Sequence, residues 1–181
     1  MEYKPIIFID GGDTLIEEGS NDRDPVTDIV ITAMPIPGAL ETLRRLKDEG
    51  YTVCLIDDVK NETVQNVFGI NGHLDCFASV TTLDDVGAAK PSKEMFEDAM
   101  KKNSLSEKDK SRIIMVGNSC RGDIAGANRF GITSVLMDWS PRYNMTPQTA
   151  DQVPDFIIHS PGEIFDLLER LKVRPPVAKN I

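Results

Sequence analysis

Acidic and amide side chains in this chain follow short apolar runs. Asp10 ends the run from Pro5 to Ile9, Asp57 and Asp58 follow Thr52 to Ile56, and Arg112 to Val116 leads into Gly117, Asn118 and Ser119, with Asp123 a turn further on. Lys90, directly before Pro91, is a cation that would balance them if the fold carries it to the same place; on its own it reads equally well as a solvated surface lysine.

The elements that must position these groups are legible as alternating patterns. Pro5 to Ile9, Thr52 to Ile56, Phe77 to Thr81, Arg112 to Val116, Ile132 to Met137 and Phe156 to Ile158 are short apolar runs, as strands buried on both faces are. Gly38 to Glu49, Glu94 to Lys102 and Ile124 to Phe130 place apolar residues three and four apart, and Gly50 and Gly131 follow two of them as helix stops. Strands alternating with helices predict an α/β fold, a doubly wound parallel sheet with right-handed crossovers. In such a sheet the ligand lies beyond the carboxyl ends of the strands, where the strand order reverses. Asp10, Asp57, Asp58, Asn118 and Ser119 then converge on one edge.

The segment Phe8-Ile9-Asp10-Gly11-Gly12-Asp13-Thr14-Leu15 resembles the first motif of the haloacid dehalogenase (HAD) superfamily, an aspartate delivered by a strand with a threonine four positions later. Ile56-Asp57, Lys90-Pro91 and the stretch from Val116 to Ala127 follow in that family's order, so the resemblance spans nearly the whole chain. It implies a Rossmann-like core and a magnesium-dependent phosphatase acting on a phosphate ester. Phosphoryl transfer needs an in-line nucleophile, positive charge on the equatorial oxygens and a proton for the leaving group. By this resemblance Asp10 attacks phosphorus and forms an aspartyl-phosphate that water later hydrolyses. Mg2+ is held by Asp10, the backbone carbonyl of Gly12, Asn118 and Asp123, and Lys90 supplies positive charge to Asp10 and the phosphoryl oxygens. Gly11, Asp58 and Ser119 are the expected substrate contacts.

Three positions depart from the family's pattern. Gly12 stands where the family keeps a second aspartate as general acid and base, a group worth about 10²–10⁴ in rate. Asp13 is the candidate replacement, but Thr14 sets the register and leaves Asp13 one position too far along, where a turn residue is the alternative. Asp57 stands where a Ser or Thr hydroxyl would bond the phosphoryl group. A carboxylate there repels phosphate by about 4 kcal/mol for unit charges at 4 Å and an effective dielectric of 20, unless it turns away, is protonated or serves the metal. Asn118 stands where the family has an aspartate; it keeps an oxygen and loses a charge, which Asp57 would return. The candidate catalytic residues are therefore Asp10, Lys90, Asp57 and Asp13, in a phosphatase slowed by the loss of its usual acid. The alternative is a catalytically impaired protein of the same fold that binds a phosphorylated ligand or a protein partner. A phospho-acceptor signalling receiver also has acidic residues after its first strand and a lysine, but has no role for the motif from Gly117 to Ala127.

At 181 residues, 40% hydrophobic and 27% charged, the chain suffices for one buried α/β domain and not for two of ordinary size. Residues 1–172 are expected to form the core, with a short flap at 16–34 in place of a full cap and a loose tail at 173–181. A net charge of −9 argues against nucleic-acid and anionic-membrane partners. Cys54, Cys76 and Cys120 are neither an even set nor a C-x-x-C pair, which argues against a disulfide scaffold or zinc site. The sequence shows no apolar leader and no membrane-spanning stretch, so the expected location is the cytoplasm. An uncapped site suits a large substrate or cover by a homodimer, and the expected partner is a phosphorylated small molecule or a larger phosphoester. The flap residues Glu17, Glu18, Asp22, Asp24 and Asp28 read either as a solvated acidic loop or as an acidic rim for a cationic substrate group. The loop from Asp138 to Pro154, with Trp139, Arg142 and Tyr143, is placed to border the site or simply to pack.

Overall fold

The computed structural model describes residues 4–70 and 72–173. The expected tail lies outside them, apart from Val173 at the end of the last helix. The chain runs through β1 (Ile6–Ile9), β2 (Ile16–Arg23), β3 (Val30–Pro35), α1 (Ala39–Asp48), β4 (Thr52–Ile56), α2 (Asn61–Val64), β5 (Ser79–Thr81), α3 (Leu83–Val86), α4 (Lys93–Lys102), β6 (Ile113–Gly117), α5 (Ala125–Phe130), β7 (Thr133–Met137), β8 (Phe156–Ile158) and α6 (Ile164–Val173). Six strands form a parallel sheet in the order β5-β4-β1-β6-β7-β8. The chain starts mid-sheet, builds outward through β4 and β5, then crosses to β6 on the other side of β1. The order reverses between β1 and β6, which opens a crevice at their carboxyl ends.

Both faces of the sheet are covered, which is why its inner strands are apolar throughout rather than alternating. Ile7, Ile9, Val53, Leu55, Ile114 and Val116 join one core with α1 and α6, while Ile6, Phe8, Cys54, Ile56, Ile113 and Met115 join a second with α4 and α5. Most elements differ from the sequence pattern by one or two residues at a boundary, and two of the differences have a local cause. β5 starts at Ser79 rather than Phe77, because Phe77 packs edge-on against Phe68 at 5.4 Å instead of extending the strand. α5 starts at Ala125 because Cys120–Ile124 forms a wider turn first, with the Ser119 hydroxyl accepting the Gly122 N–H at 3.0 Å.

The expected flap is an antiparallel hairpin of β2 and β3. Asp24 makes its turn, accepting the backbone N–H groups of Val26 and Thr27 at 2.9 and 2.8 Å. Among the described residues no helix is long and apolar enough to cross a membrane. All three cysteines are free and buried.

Gly126 marks where α5 meets α4. A Cβ there would lie 2.8 Å from the Phe96 ring and 3.2 Å from the Pro91 Cα, and that ring stacks on Phe130 at 5.2 Å. Gly126→Ala should therefore destabilise the fold by about 1–3 kcal/mol through overpacking. Urea unfolding checks this; an unchanged midpoint would mean the two helices separate at no cost.

Candidate active site

Asp10 follows β1, and its backbone N–H donates to Val116 O at 2.9 Å, so it stands in the crevice between β1 and β6. The next residue, Gly11, turns the chain sharply: its carbonyl accepts the N–H groups of Leu15 and Ile16 at 2.8 and 3.0 Å. Thr14 is thereby brought back, and its hydroxyl donates to Asp10 Oδ2 at 3.2 Å. Lys90 reaches the same point from 80 residues away. Its ammonium lies 2.6 Å from Asp10 Oδ1, 2.6 Å from the Ile56 carbonyl and 3.0 Å from Asp123 Oδ1.

This cluster is almost out of water: Lys90 is 7% exposed and Asp123 1%. Burial opposes the Lys90 charge, but Asp10 first, then Asp123, Asp58 and Asp57, hold its pKa well above the ordinary value. Burial and then the charge of Asp123 push the Asp10 carboxyl well above the usual range, outweighing the pull of Lys90. Asp123 is aimed by its own loop, its Oδ2 accepting the Ser119 N–H at 2.9 Å. Gly117 makes room for it, since any Cβ there would collide with the Asp123 carboxylate.

Asp57 joins from the end of β4. Its carboxylate packs against Gly11, where a Cβ would collide with it, and burial raises its pKa from the ordinary 3.8 to about 6 although Lys90 pulls it down. Asn118, also buried, has no partner for its amide nitrogen, and Asp123 Oδ1 meets Lys90 as an ion pair without accepting a hydrogen bond. Among the described residues no three His, Cys, Asp or Glu side chains are arranged to hold a metal by themselves. Oxygen donors here include the carboxylates of Asp10, Asp57 and Asp123 and the amide of Asn118.

Three expected site residues have other work. Asp13, the candidate replacement acid, is 0% exposed and in the left-handed region, with φ 44°. One of its oxygens accepts the Glu18 N–H at 2.9 Å and the other takes Arg142 Nε at 2.8 Å, so both are committed to holding the hairpin to the loop after β7. Asp58 accepts the backbone N–H of Lys90 at 2.9 Å, and Ser119 caps the turn before α5. Both brace the site through these contacts. Tyr143, on the same loop as Arg142, donates its hydroxyl to Glu18 Oε2. The partners in this clasp are 125 and 129 residues apart in the chain, and no local pattern announces them. The arginine and tyrosine were visible in the loop; their targets were not.

Beside the cluster a narrow cleft lies against the hairpin. Gly11, Gly12, Glu18 and Asp57 line its polar side, and Ile16, Val30, Val64, Val67 and Phe68 its apolar side.

The chain matches the model of the haloacid dehalogenase-like hydrolase family over residues 8–131. Among proteins similar to it, a glyceraldehyde 3-phosphate phosphatase of Methanopyrus kandleri is 29% identical over 76% of this chain and 58% of its own length. Pyrophosphatase PpaX of Halalkalibacterium halodurans is 28% identical over 74% of this chain and 60% of its own. The chain thus spans 58–60% of the length of these two relatives. The crystal structure of a HAD phosphatase from Thermococcus onnurineus superposes with a TM-score of 0.64 at 25% identity, covering 75% of this chain and 59% of that one.

The raised pKa of Asp57 has a consequence for stability. Between pH 4 and 6 the folded chain holds a proton on Asp57 that the unfolded chain has released, so Asp57's contribution to stability falls as pH rises through that window and does not return above it. Asp57→Asn cannot ionise, and in metal-free buffer should match the wild type near pH 4 and exceed it by up to about 3 kcal/mol at pH 8. Urea midpoints across this range measure the gap; a gap independent of pH would contradict the assignment.

Proposed function

Because this chain belongs to the haloacid dehalogenase-like hydrolase family, we propose that it is a magnesium-dependent phosphatase that passes the phosphoryl group of an ester to Asp10 and then to water. The observation that carries this reading is the buried ammonium of Lys90 shared by Asp10 and Asp123 at the crevice of the sheet. Lys90 and the Thr14 hydroxyl orient the Asp10 carboxylate from its two oxygens, so that it meets phosphorus in line. Asp10 Oδ bonds to phosphorus as the bond to the leaving oxygen breaks, and water then attacks the aspartyl-phosphate, releasing phosphate. Lys90 places its positive charge where the phosphoryl oxygens gather negative charge. Asp57 in its protonated form offers an O–H donor at the place of the hydroxyl that the family presents there.

The donor set suits a hard divalent cation. Lys90 faces Asp10, Asp57, Asp58 and Asp123, a marked excess of negative charge. A half-turn of the unpartnered Asn118 amide presents an oxygen in place of its nitrogen. Asp10, Asn118 and Asp123, with the Gly12 carbonyl on the family's pattern, would hold Mg2+. Bound there, the ion would lower the Asp10 carboxyl back towards its ionised form and neutralise phosphoryl charge.

The relatives are named for different phosphorylated substrates, so family membership leaves the leaving group open. The competing reading, a binder of phosphorylated ligands without turnover, draws on the Asp57 carboxylate at the phosphoryl position.

Asp10→Asn should reduce hydrolysis of a phosphate-ester panel in magnesium to background, because the neutral amide is a poor nucleophile. Phosphate release measures it. Activity retained by this variant would overturn the covalent route, and an inert wild type would favour the binder. Asp123→Ala should weaken magnesium at least about 10-fold by titration calorimetry; equal affinities would remove Asp123 from the metal site.

A further inference from the structure

We propose that Glu18 is the proton donor and acceptor at the leaving oxygen, acting from the hairpin in place of the side chain that Gly12 lacks. The inference rests on the phosphatase reading above.

Gly12 has no positive φ, so its backbone would accept any residue. What occupies the place of a side chain is Glu18. A Cβ built on Gly12 would collide with the Glu18 carboxylate oxygen Oε1, with Glu18 Cδ at 3.0 Å and Cγ at 3.1 Å. The volume of a residue-12 side chain is thus filled by a carboxylate delivered from β2, and the two are mutually exclusive without a shift of Glu18. An aspartate missing from one position and a carboxylate occupying its space are one observation in this chain rather than a loss.

The carboxylate is also aimed. Its backbone N–H is fixed to Asp13 Oδ1 at 2.9 Å, and its Oε2 accepts the Tyr143 hydroxyl, which leaves Oε1 on the side of Gly12. Asp13 is itself tied to Arg142 at 2.8 Å, so the loop after β7 grips the hairpin at two points around Glu18. Glu18 is half-buried and lines the same cleft as Gly11 and Asp57. Asp13, Arg142 and Tyr143 are positioning residues in this scheme.

In the first half-reaction the protonated Glu18 carboxyl gives its proton to the leaving oxygen, which takes the electron pair of the breaking P–O bond as Asp10 bonds to phosphorus. In the second half the Glu18 carboxylate removes a proton from the attacking water as the Asp10–phosphorus bond breaks. Phosphate leaves, Asp10 is again a carboxylate, and Glu18 is reprotonated, so nothing beyond ester and water is consumed.

Leaving-group dependence tests this. Dinitrophenyl phosphate departs without a proton, whereas an alkyl phosphate needs one. On full-length protein with magnesium, Glu18→Gln should lose about 10²-fold or more in kcat/KM on an alkyl phosphate and less than about 10-fold on dinitrophenyl phosphate. The double variant Gly12→Asp with Glu18→Ala moves the carboxylate to position 12 and should regain at least 10-fold over Glu18→Gln on the alkyl ester. Tyr143→Phe, which keeps Glu18 but frees it, should show a smaller loss in the same direction, and it serves as the test if Glu18→Gln fails to fold. Equal losses on both esters, or none, overturn the role of Glu18 while leaving the phosphatase reading intact. A wild type inert on both esters overturns that reading, and this inference with it.

Discussion

Everything at the crevice depends on one buried cation. The ammonium of Lys90 is held by Asp10, Asp123 and the Ile56 carbonyl at hydrogen-bonding or ion-pair distance, with Asp57 and Asp58 nearby. Charges taken out of water are stable only when closely paired, and removing one partner leaves the rest uncompensated. The geometry of the crevice is therefore cooperative: Asp58 holds the Lys90 backbone, Ser119 aims Asp123, and Gly11 turns the chain so that Thr14 returns to Asp10. Burial and then the charge of Asp123 push the Asp10 carboxyl up, and the excess of negative over positive charge suits a divalent cation.

Close approach is the second constraint. At Gly11, Gly12 and Gly117 the missing Cβ is replaced by a carboxylate from elsewhere in the chain: Asp57, Glu18 and Asp123 respectively. None of the three has a positive φ, so these glycines serve space rather than backbone freedom. The sheet edge can gather so many acidic groups because the backbone there carries no side chains of its own to keep them apart.

The hairpin and the loop after β7 close the site from opposite ends of the chain. Most of the acidity of the flap is spent locally or on solvent: Asp24 makes the turn, and Asp28 pairs with Arg23 at 3.4 Å on the surface. Glu18 is the exception, drawn inward by Tyr143 and the Asp13 anchor. The same stretch of sequence thus serves as a solvated loop and as a wall of the cleft, residue by residue.

The parallel sheet, its covered faces and the residues at its strand ends were legible from the sequence, because buried strands need unbroken apolar runs and helices need apolar residues three and four apart. Asp10, Lys90, Asn118 and Asp123 were named as site candidates by their resemblance to the family's motifs, each of which is local in the sequence. What became of Asp13, Asp58 and Ser119 was not legible. Their side chains have the right chemistry for catalysis or binding, and only the structure shows the partners they take: Arg142 and the Glu18 N–H for Asp13, the Lys90 N–H for Asp58 and the Gly122 N–H for Ser119. Glu18 was hidden in the opposite sense, one acid among five in a flap, since its position depends on Tyr143 and Arg142 more than 120 residues away. Local composition determines which elements form and which groups they end with. Contacts across the whole chain decide which carboxylates meet water, which meet a cation and which fill the space a glycine leaves.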